Sequence, residues 1–168
     1  ISSGGKEILQ WIQPTHLYIS HLHEDHLDEK LLSDGLNKNV PVLIKTFEER
    51  RLFRRLEAIG FKEIIELPPW EAYPLSDDLE ITIIPTDISN SSGLKDETNY
   101  DIDTSILIHS LIDNTVFYNN VDSPISIEGL KKVKEYVNTR WSKKNIDMAC
   151  ISCGAASEYP QCFVNIDR

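Results

Sequence analysis

One short stretch decides the fold of this chain: residues 21–26 read His-Leu-His-Glu-Asp-His and follow the apolar run Leu17-Tyr18-Ile19 after a single serine. Four potential metal ligands, His21, His23, Asp25 and His26, fall within these six residues. Imidazole and carboxylate groups are the ligands that Zn²⁺, Fe²⁺ and Mn²⁺ accept. The stretch therefore predicts a metal site directly after a strand.

The spacing of these four residues suggests two metal positions. His21 and His23 are two residues apart, so in an extended or turning segment their side chains point the same way. Asp25 and His26 come after the chain must bend, and they can reach a second point a few ångströms away. Metal ions about 3.5–4 Å apart are used together in hydrolysis. The structural alternative is a polar turn whose histidines cap a helix that begins near Leu27.

The pattern His-x-His-x-Asp-His at the end of a strand resembles the metallo-β-lactamase-fold superfamily. That resemblance implies that His21 and His23 bind one metal, and that Asp25 and His26 bind the other. It also implies a catalytic role for Asp25, which would hold the attacking water or the second metal. We expect residues 15–20 to form the preceding strand and residues 27–36 to form the following helix.

The resemblance also implies ligands from later in the chain. The family places a metal-bridging aspartate after a strand like residues 115–121, and Asp122 matches it; the alternative is that Asp122 or Ser123 caps the next helix. The family's third histidine normally follows a strand like residues 80–85, but no histidine lies between positions 27 and 108. We favour Asp87 as its substitute. The other candidates in this segment are Asn99, Asp101 and Asp103.

The expected cofactor is one or two divalent ions of zinc, iron or manganese. No histidine follows position 109, so the final histidine of the family pattern also has no counterpart. A site poor in nitrogen ligands favours harder ions such as Mn²⁺ or Fe²⁺ over zinc. His16 and His109 lie on predicted strands, and we interpret both as structural or solvent-facing. A single Cys150-x-x-Cys153 pair without a second pair is interpreted as strand residues.

The predicted elements indicate a mixed α+β or α/β fold. Strands and helices alternate up to residue 67, which favours parallel pairing, and short strands follow before a helix at residues 125–141 and a last strand at 146–151. A capping box at Thr46–Glu49 predicts the start of a helix that ends at Gly60. The apolar stripe of the last helix is predicted to include Leu130. The order is that of an αββα metallo-β-lactamase-like sandwich, and we expect residues 1–168 to form one such domain, incomplete at its N-terminus and C-terminus.

A closer resemblance covers most of the chain. The motif at residues 18–26, Asp103-Thr104 before a strand, residues 119–124 and the segment 154–160 follow one another as in the metallo-β-lactamase-like domain of CMP-N-acetylneuraminate hydroxylase relatives. Those enzymes also carry a Rieske iron–sulfur domain. Its Cys-x-His and Cys-x-x-His pairs are absent from this sequence.

The composition of the chain limits the kinds of partner and substrate that we expect. A formal net charge of −10 argues against a surface that holds a nucleic-acid backbone. No apolar run approaches the roughly 18 residues of a membrane span, and there is no signal-peptide pattern. Three cysteines, an odd number, fit a reduced, cytoplasmic protein. We therefore expect a small-molecule substrate, no nucleic acid and no membrane.

The sequence favours a metal-dependent hydrolase that acts on an ester, lactone, amide or phosphodiester bond. One alternative is a non-haem iron oxidative domain that works with a separate redox partner. The other is a degenerate, non-catalytic binding domain.

Overall fold

The computed structural model describes residues 14–24, 26–87, 103–123 and 125–151. Within these residues the chain forms eight strands and three helices. In chain order they are β1 (Leu17–Tyr18), α1 (Glu29–Gly35), β2 (Val42–Lys45), α2 (Arg51–Ile59), β3 (Ile64–Leu67), β4 (Ala72–Pro74), β5 (Leu79–Pro85), β6 (Thr104–Ser110), β7 (Val116–Asn119), α3 (Ile127–Trp141) and β8 (Met148–Cys150). None of the helices in these ranges is long and apolar enough to cross a membrane.

The strands form two sheets. The first has the order β1-β2-β3 and is parallel, with α1 and α2 as its crossover connections. The second has the order β4-β5-β6-β7-β8; its first four strands are antiparallel, and β8 pairs parallel with β7. The predicted change from alternating helices and strands to short connected strands is therefore confirmed.

Apolar residues that alternate along the strands pack the two sheets and the helices into four layers. In β2, Val42 and Ile44 pack with the residues of α1 and α2, whereas Leu43 points the other way. Leu43 meets Ile81 and Ile83 of β5 in an apolar layer between the two sheets. On the far side of the second sheet, buried residues of β5, β6 and β7 pack against α3. The order helix, sheet, sheet, helix confirms the predicted αββα sandwich.

Two details of the helices differ from the sequence prediction. Helix α2 begins at Arg51 and not at the predicted capping box, because the backbone N–H of Thr46 still pairs with the carbonyl of Leu67 in the neighbouring strand. Gly60 ends this helix at φ 104°, as predicted, in a conformation that favours glycine. On α3, Leu130 is exposed, and Gly129 is buried in its place.

Gly129 lies where α3 meets the end of β5. The N-cap Ser126 accepts a hydrogen bond from the Gly129 N–H at 2.9 Å, and Asp87 accepts one from the Ser126 N–H at 2.8 Å. A Cβ atom at position 129 would clash with the Asp87 carboxylate and would lie 2.6 Å from Cγ1 of Ile125. Only glycine fits between the helix and this carboxylate.

We predict that Gly129→Ala destabilises the protein, although alanine is the better helix former by about 1 kcal/mol. Overpacking of this kind costs about 1–3 kcal/mol. Thr139→Ala, at an exposed position of the same helix, is the control and should be neutral or slightly stabilising. Urea unfolding of both variants measures the difference. An unchanged or raised midpoint for Gly129→Ala would contradict the close packing.

Candidate metal centre

The histidine-rich loop after β1 is held in place by its two leucines. Leu27 is buried in the core beneath α1 and α2, and Leu22 packs against the same core. The carbonyl of His23 accepts hydrogen bonds from the N–H groups of His26 at 2.9 Å and Leu27 at 2.7 Å, which closes a tight turn. Asp28 then caps α1 by accepting from the N–H of Leu31. This turn brings the imidazole of His26 back beside that of His21, with ring centroids 4.4 Å apart.

His21 is the central side chain of the site, and its imidazole is fully buried. Its Nδ1 lies 2.8 Å from Oγ of Ser20, which fixes the orientation of the ring. Its Nε2 lies 2.9 Å from Nδ1 of His23 and 3.3 Å from Oδ1 of Asp103. In the tautomer in which Nδ1 donates its proton to Ser20, the lone pair of Nε2 faces these two groups.

Asp122 approaches the same histidines from the second sheet. Its Oδ2 lies 2.9 Å from Nε2 of His26. The turn that carries Asp122 follows β7, where Asn119 Oδ1 accepts a hydrogen bond from the Val121 N–H at 3.0 Å. Val121 has φ 51°, which is a rare conformation for a β-branched residue. The fold thus accepts backbone strain next to Asp122, as proteins often do at functional sites.

Two groups of side chains in the described residues can each hold a metal ion. The inner group is His21, His23 and Asp103, and the outer group is His21, His26 and Asp122. Within each group the ligand atoms lie within 4.8 Å of one another, and His21 belongs to both. Three imidazoles and two carboxylates therefore meet where the two sheets come together.

Asp103 contains a buried oxygen that lacks a hydrogen-bond partner. Its Oδ1 accepts no hydrogen bond from the part of the chain that the structure describes. Burial raises the pKa of this carboxyl above its ordinary value, and the Asp122 carboxylate adds to the rise, whereas His23 and His26 oppose it. A buried carboxylate oxygen that accepts no hydrogen bond is costly, and a bound cation would remove that cost.

The spacing of the inner group fits a metal ion. Ligand atoms bonded at about 2 Å to the same ion lie roughly 3 Å apart. The 2.9 Å between the His21 and His23 nitrogens and the 3.3 Å to Asp103 agree with that spacing. Both the donor set and the unpartnered oxygen are thus suited to a divalent cation.

The structure brings together four of the residues singled out from the sequence: His21, His23, His26 and Asp122. Asp25, the predicted catalytic and metal-binding aspartate, lies outside the described residues. Asp103 was one of several candidates in its segment, and the structure places it in the inner group. The signal in the sequence was its position immediately before β6, but only the sheet packing shows that this strand starts beside His21.

Asp87, predicted as a metal ligand, belongs to neither group in the described residues. Its two oxygens accept hydrogen bonds from the N–H and the hydroxyl of Ser126, at the start of α3. In the described residues this carboxylate, just after β5, joins the start of α3 to the second sheet. Ser126, and not Asp122 or Ser123, is the N-cap residue of that helix.

We predict that Asp87→Ala lowers stability without loss of bound metal. Asp87 accepts two hydrogen bonds from Ser126, the N-cap residue of α3, and the loss of a hydrogen bond of this kind costs about 1 kcal/mol. Burial alone would raise the pKa of Asp87, but the hydrogen bonds from Ser126 and Gly129 outweigh it and hold the pKa below the ordinary value. The stabilisation is therefore complete above the unfolded pKa of about 4 and is lost as the pH falls through the folded pKa. Urea unfolding at pH 7 and pH 3, with metal analysis, tests this. Loss of metal at unchanged stability would contradict this prediction and identify Asp87 as a ligand.

His109 is buried and stacks on Trp141 with ring centroids 4.4 Å apart. Its Nε2 lies 2.8 Å from Oδ1 of Asn114, and its Nδ1 lies 3.4 Å from Oε1 of Glu80. These contacts agree with a structural role. Cys150 is exposed on β8, and its predicted partner in the Cys-x-x-Cys pair lies outside the described residues.

Comparison with known proteins finds relatives among iron–sulfur proteins. No family model matches the sequence. Over 118 residues it is 31% identical to a protein of Mycolicibacterium smegmatis that carries the name Rieske 2Fe-2S iron-sulfur protein; the match covers 68% of this chain and 21% of that protein. Similarly named proteins of two Mycobacterium tuberculosis strains are 29% identical over the same length. The chain spans about a fifth of the length of these curated relatives.

Solved structures of similar fold include hydrolases and a hydroxylase. A possible metal-dependent hydrolase from Veillonella parvula has a TM-score of 0.59 at 14% identity, covering 84% of this chain and 49% of that one. Isothiocyanate hydrolase from Delia radicum gut bacteria has a TM-score of 0.58 at 15% identity, over 80% and 48% of the two chains. CmlA, a diiron β-hydroxylase from Streptomyces venezuelae, has a TM-score of 0.54 at 22% identity, over 73% and 24%.

Proposed function

We propose that this chain, which has the metallo-β-lactamase fold, is a metal-dependent hydrolase domain. Its ligands are the inner and outer groups, and its substrate is a small molecule with an ester, lactone, amide or phosphodiester bond. The observation that carries the proposal is the buried Oδ1 of Asp103, which accepts no hydrogen bond from the described residues and lies 3.3 Å from Nε2 of His21. The formal net charge of −10 weighs against a polynucleotide substrate.

The chemistry follows from the ligand set. A divalent ion bound there lowers the pKa of a water molecule towards about 7 and polarises a substrate oxygen. The chain's own residues shape that site: Ser20 fixes the ring of His21, and the turn at Val121 presents Asp122. His23 and Asp122 are exposed, so the site opens to solvent on the side from which a small substrate would enter.

An oxidative function is the second candidate, and the sequence relatives favour it. A protein named for a Rieske cluster shares 31% identity with this chain over 118 residues, and two carboxylates with three imidazoles also suit iron. In this alternative the domain binds iron, and an iron–sulfur cluster outside this sequence supplies the electrons.

We predict that single histidine variants remove metal in a graded way. His23→Ala should remove the ion of the inner group alone and His26→Ala that of the outer group, because each histidine belongs to one group. His21→Ala should remove both. His16→Ala, a half-buried histidine outside both groups, is the control. Elemental analysis measures the metal, and circular dichroism checks the fold; full metal in all four variants would show that the histidines are not ligands.

The metal content and a reaction assay separate the candidate functions. Hydrolysis of p-nitrophenyl esters or phosphodiesters by zinc- or manganese-loaded protein, lost in His21→Ala, is the result expected for a hydrolase. Bound iron with visible absorption and no hydrolysis would instead support the oxidative candidate. A protein that binds no metal would be the non-catalytic binding domain, and the proposal would be wrong.

A further inference from the structure

Three hydrogen-bonded oxygen atoms connect the two sheets next to the proposed metal centre. The hydroxyl of Thr104, the first residue of β6, donates a hydrogen bond to the backbone carbonyl of Ser20 at 2.9 Å. That hydrogen is used, so the hydroxyl of Tyr18 on β1 donates to Oγ1 of Thr104, at 2.5 Å. Thr104 is fully buried and Ser20 is 5% exposed, so water does not compete with the Thr104–Ser20 hydrogen bond.

These hydrogen-bonded oxygen atoms lie directly beside the proposed metal ligands. Ser20 directly precedes His21, and Thr104 directly follows Asp103. The hydrogen bond between Thr104 and Ser20 therefore joins the two backbone segments that carry the central histidine and the buried carboxylate. His21 follows β1 of the first sheet and Asp103 precedes β6 of the second, and their ligand atoms lie 3.3 Å apart.

We propose that Thr104 and Tyr18 are positioning residues of the metal centre, which set the distance between His21 and Asp103. This inference rests on the proposed function, because it assumes that the inner group binds metal. Neither residue belongs to a ligand group; they act through the backbone at Ser20 and the start of β6. Apolar packing between the sheets can hold the layers together, but it is non-directional and does not fix two ligand atoms to a fraction of an ångström.

The protein offers a matched control elsewhere in the second sheet. Thr82 on β5 is also fully buried, and its hydroxyl makes a hydrogen bond of 2.9 Å with the hydroxyl of Tyr136 on α3. This threonine–tyrosine pair likewise joins two layers of the fold, but it lies between the second sheet and the outer helix. Loss of either pair should lower stability, whereas only loss of the first should change metal binding.

The test is Zn²⁺ titration of the full chain against a competing chelator. Thr104→Val, which keeps the shape but removes the hydroxyl, should weaken Zn²⁺ binding by about 10- to 100-fold, the range for loss of a group that orients a ligand. Thr104→Ser, which keeps the hydroxyl, should bind nearly as tightly as the unaltered protein. Thr82→Val should retain full affinity. Co²⁺ absorption spectra should change for Thr104→Val and not for Thr82→Val.

Several outcomes would overturn the inference. If the unaltered chain binds Zn²⁺ but Thr104→Val binds it equally well, the positioning role is wrong and the metal centre stands. If Thr82→Val weakens binding as much as Thr104→Val, the effect comes from general stability. If the unaltered chain binds neither Zn²⁺ nor Mn²⁺, the proposed function fails and the inference fails with it.

If Thr104→Val does not fold, a second pair of variants tests the positioning role. Tyr18→Phe removes only the donor to Thr104 and should weaken Zn²⁺ binding in the same direction by a smaller factor. Tyr136→Phe is its control and should leave the affinity unchanged. Equal affinities for these two variants would overturn the positioning role.

Discussion

The face-to-face packing of the two sheets is the constraint on which the site depends. An apolar layer that includes Leu43 and Ile83 holds the sheets together, and the hydrogen bond from Thr104 to the Ser20 carbonyl fixes how the end of β1 meets the start of β6. Each contact between a histidine of the loop and an aspartate beside the second sheet depends on how the two sheets pack. Without it, the histidines would still lie on one loop, but neither aspartate would reach them.

The same packing buries charge where an ordinary core would avoid it. His21 is fully enclosed, and an oxygen of Asp103 is buried without a hydrogen bond from the described residues. Val121, beside Asp122, adds a strained backbone conformation. The buried oxygen costs stability unless a cation is bound, and the strain at Val121 costs stability in either case. Their location at one point is the physical basis for the proposal of a metal centre, since a divalent ion would turn the unpartnered oxygen into a ligand.

The fold does not separate hydrolysis from oxidation, because the protein side of both reactions is a set of imidazoles and carboxylates. Structures of similar fold include an isothiocyanate hydrolase and a diiron β-hydroxylase. The difference lies in the metal and in whether electrons are supplied. This chain spans about a fifth of the length of relatives that are named for a Rieske cluster.

The sequence by itself determined the layers and the cluster of histidines at the site. Alternation of apolar residues predicted the strands, and the spacing of His21, His23 and His26 predicted that they cluster, because both are local properties of the backbone. Asp87 and Asp103 could not be told apart in this way, since each adjoins a strand end. Tertiary structure separated them: Asp87 accepts hydrogen bonds from Ser126, the N-cap residue of α3, whereas Asp103 meets His21 across the junction of the sheets. Contacts between residues some 80 positions apart depend on sheet packing, which short-range sequence patterns do not encode.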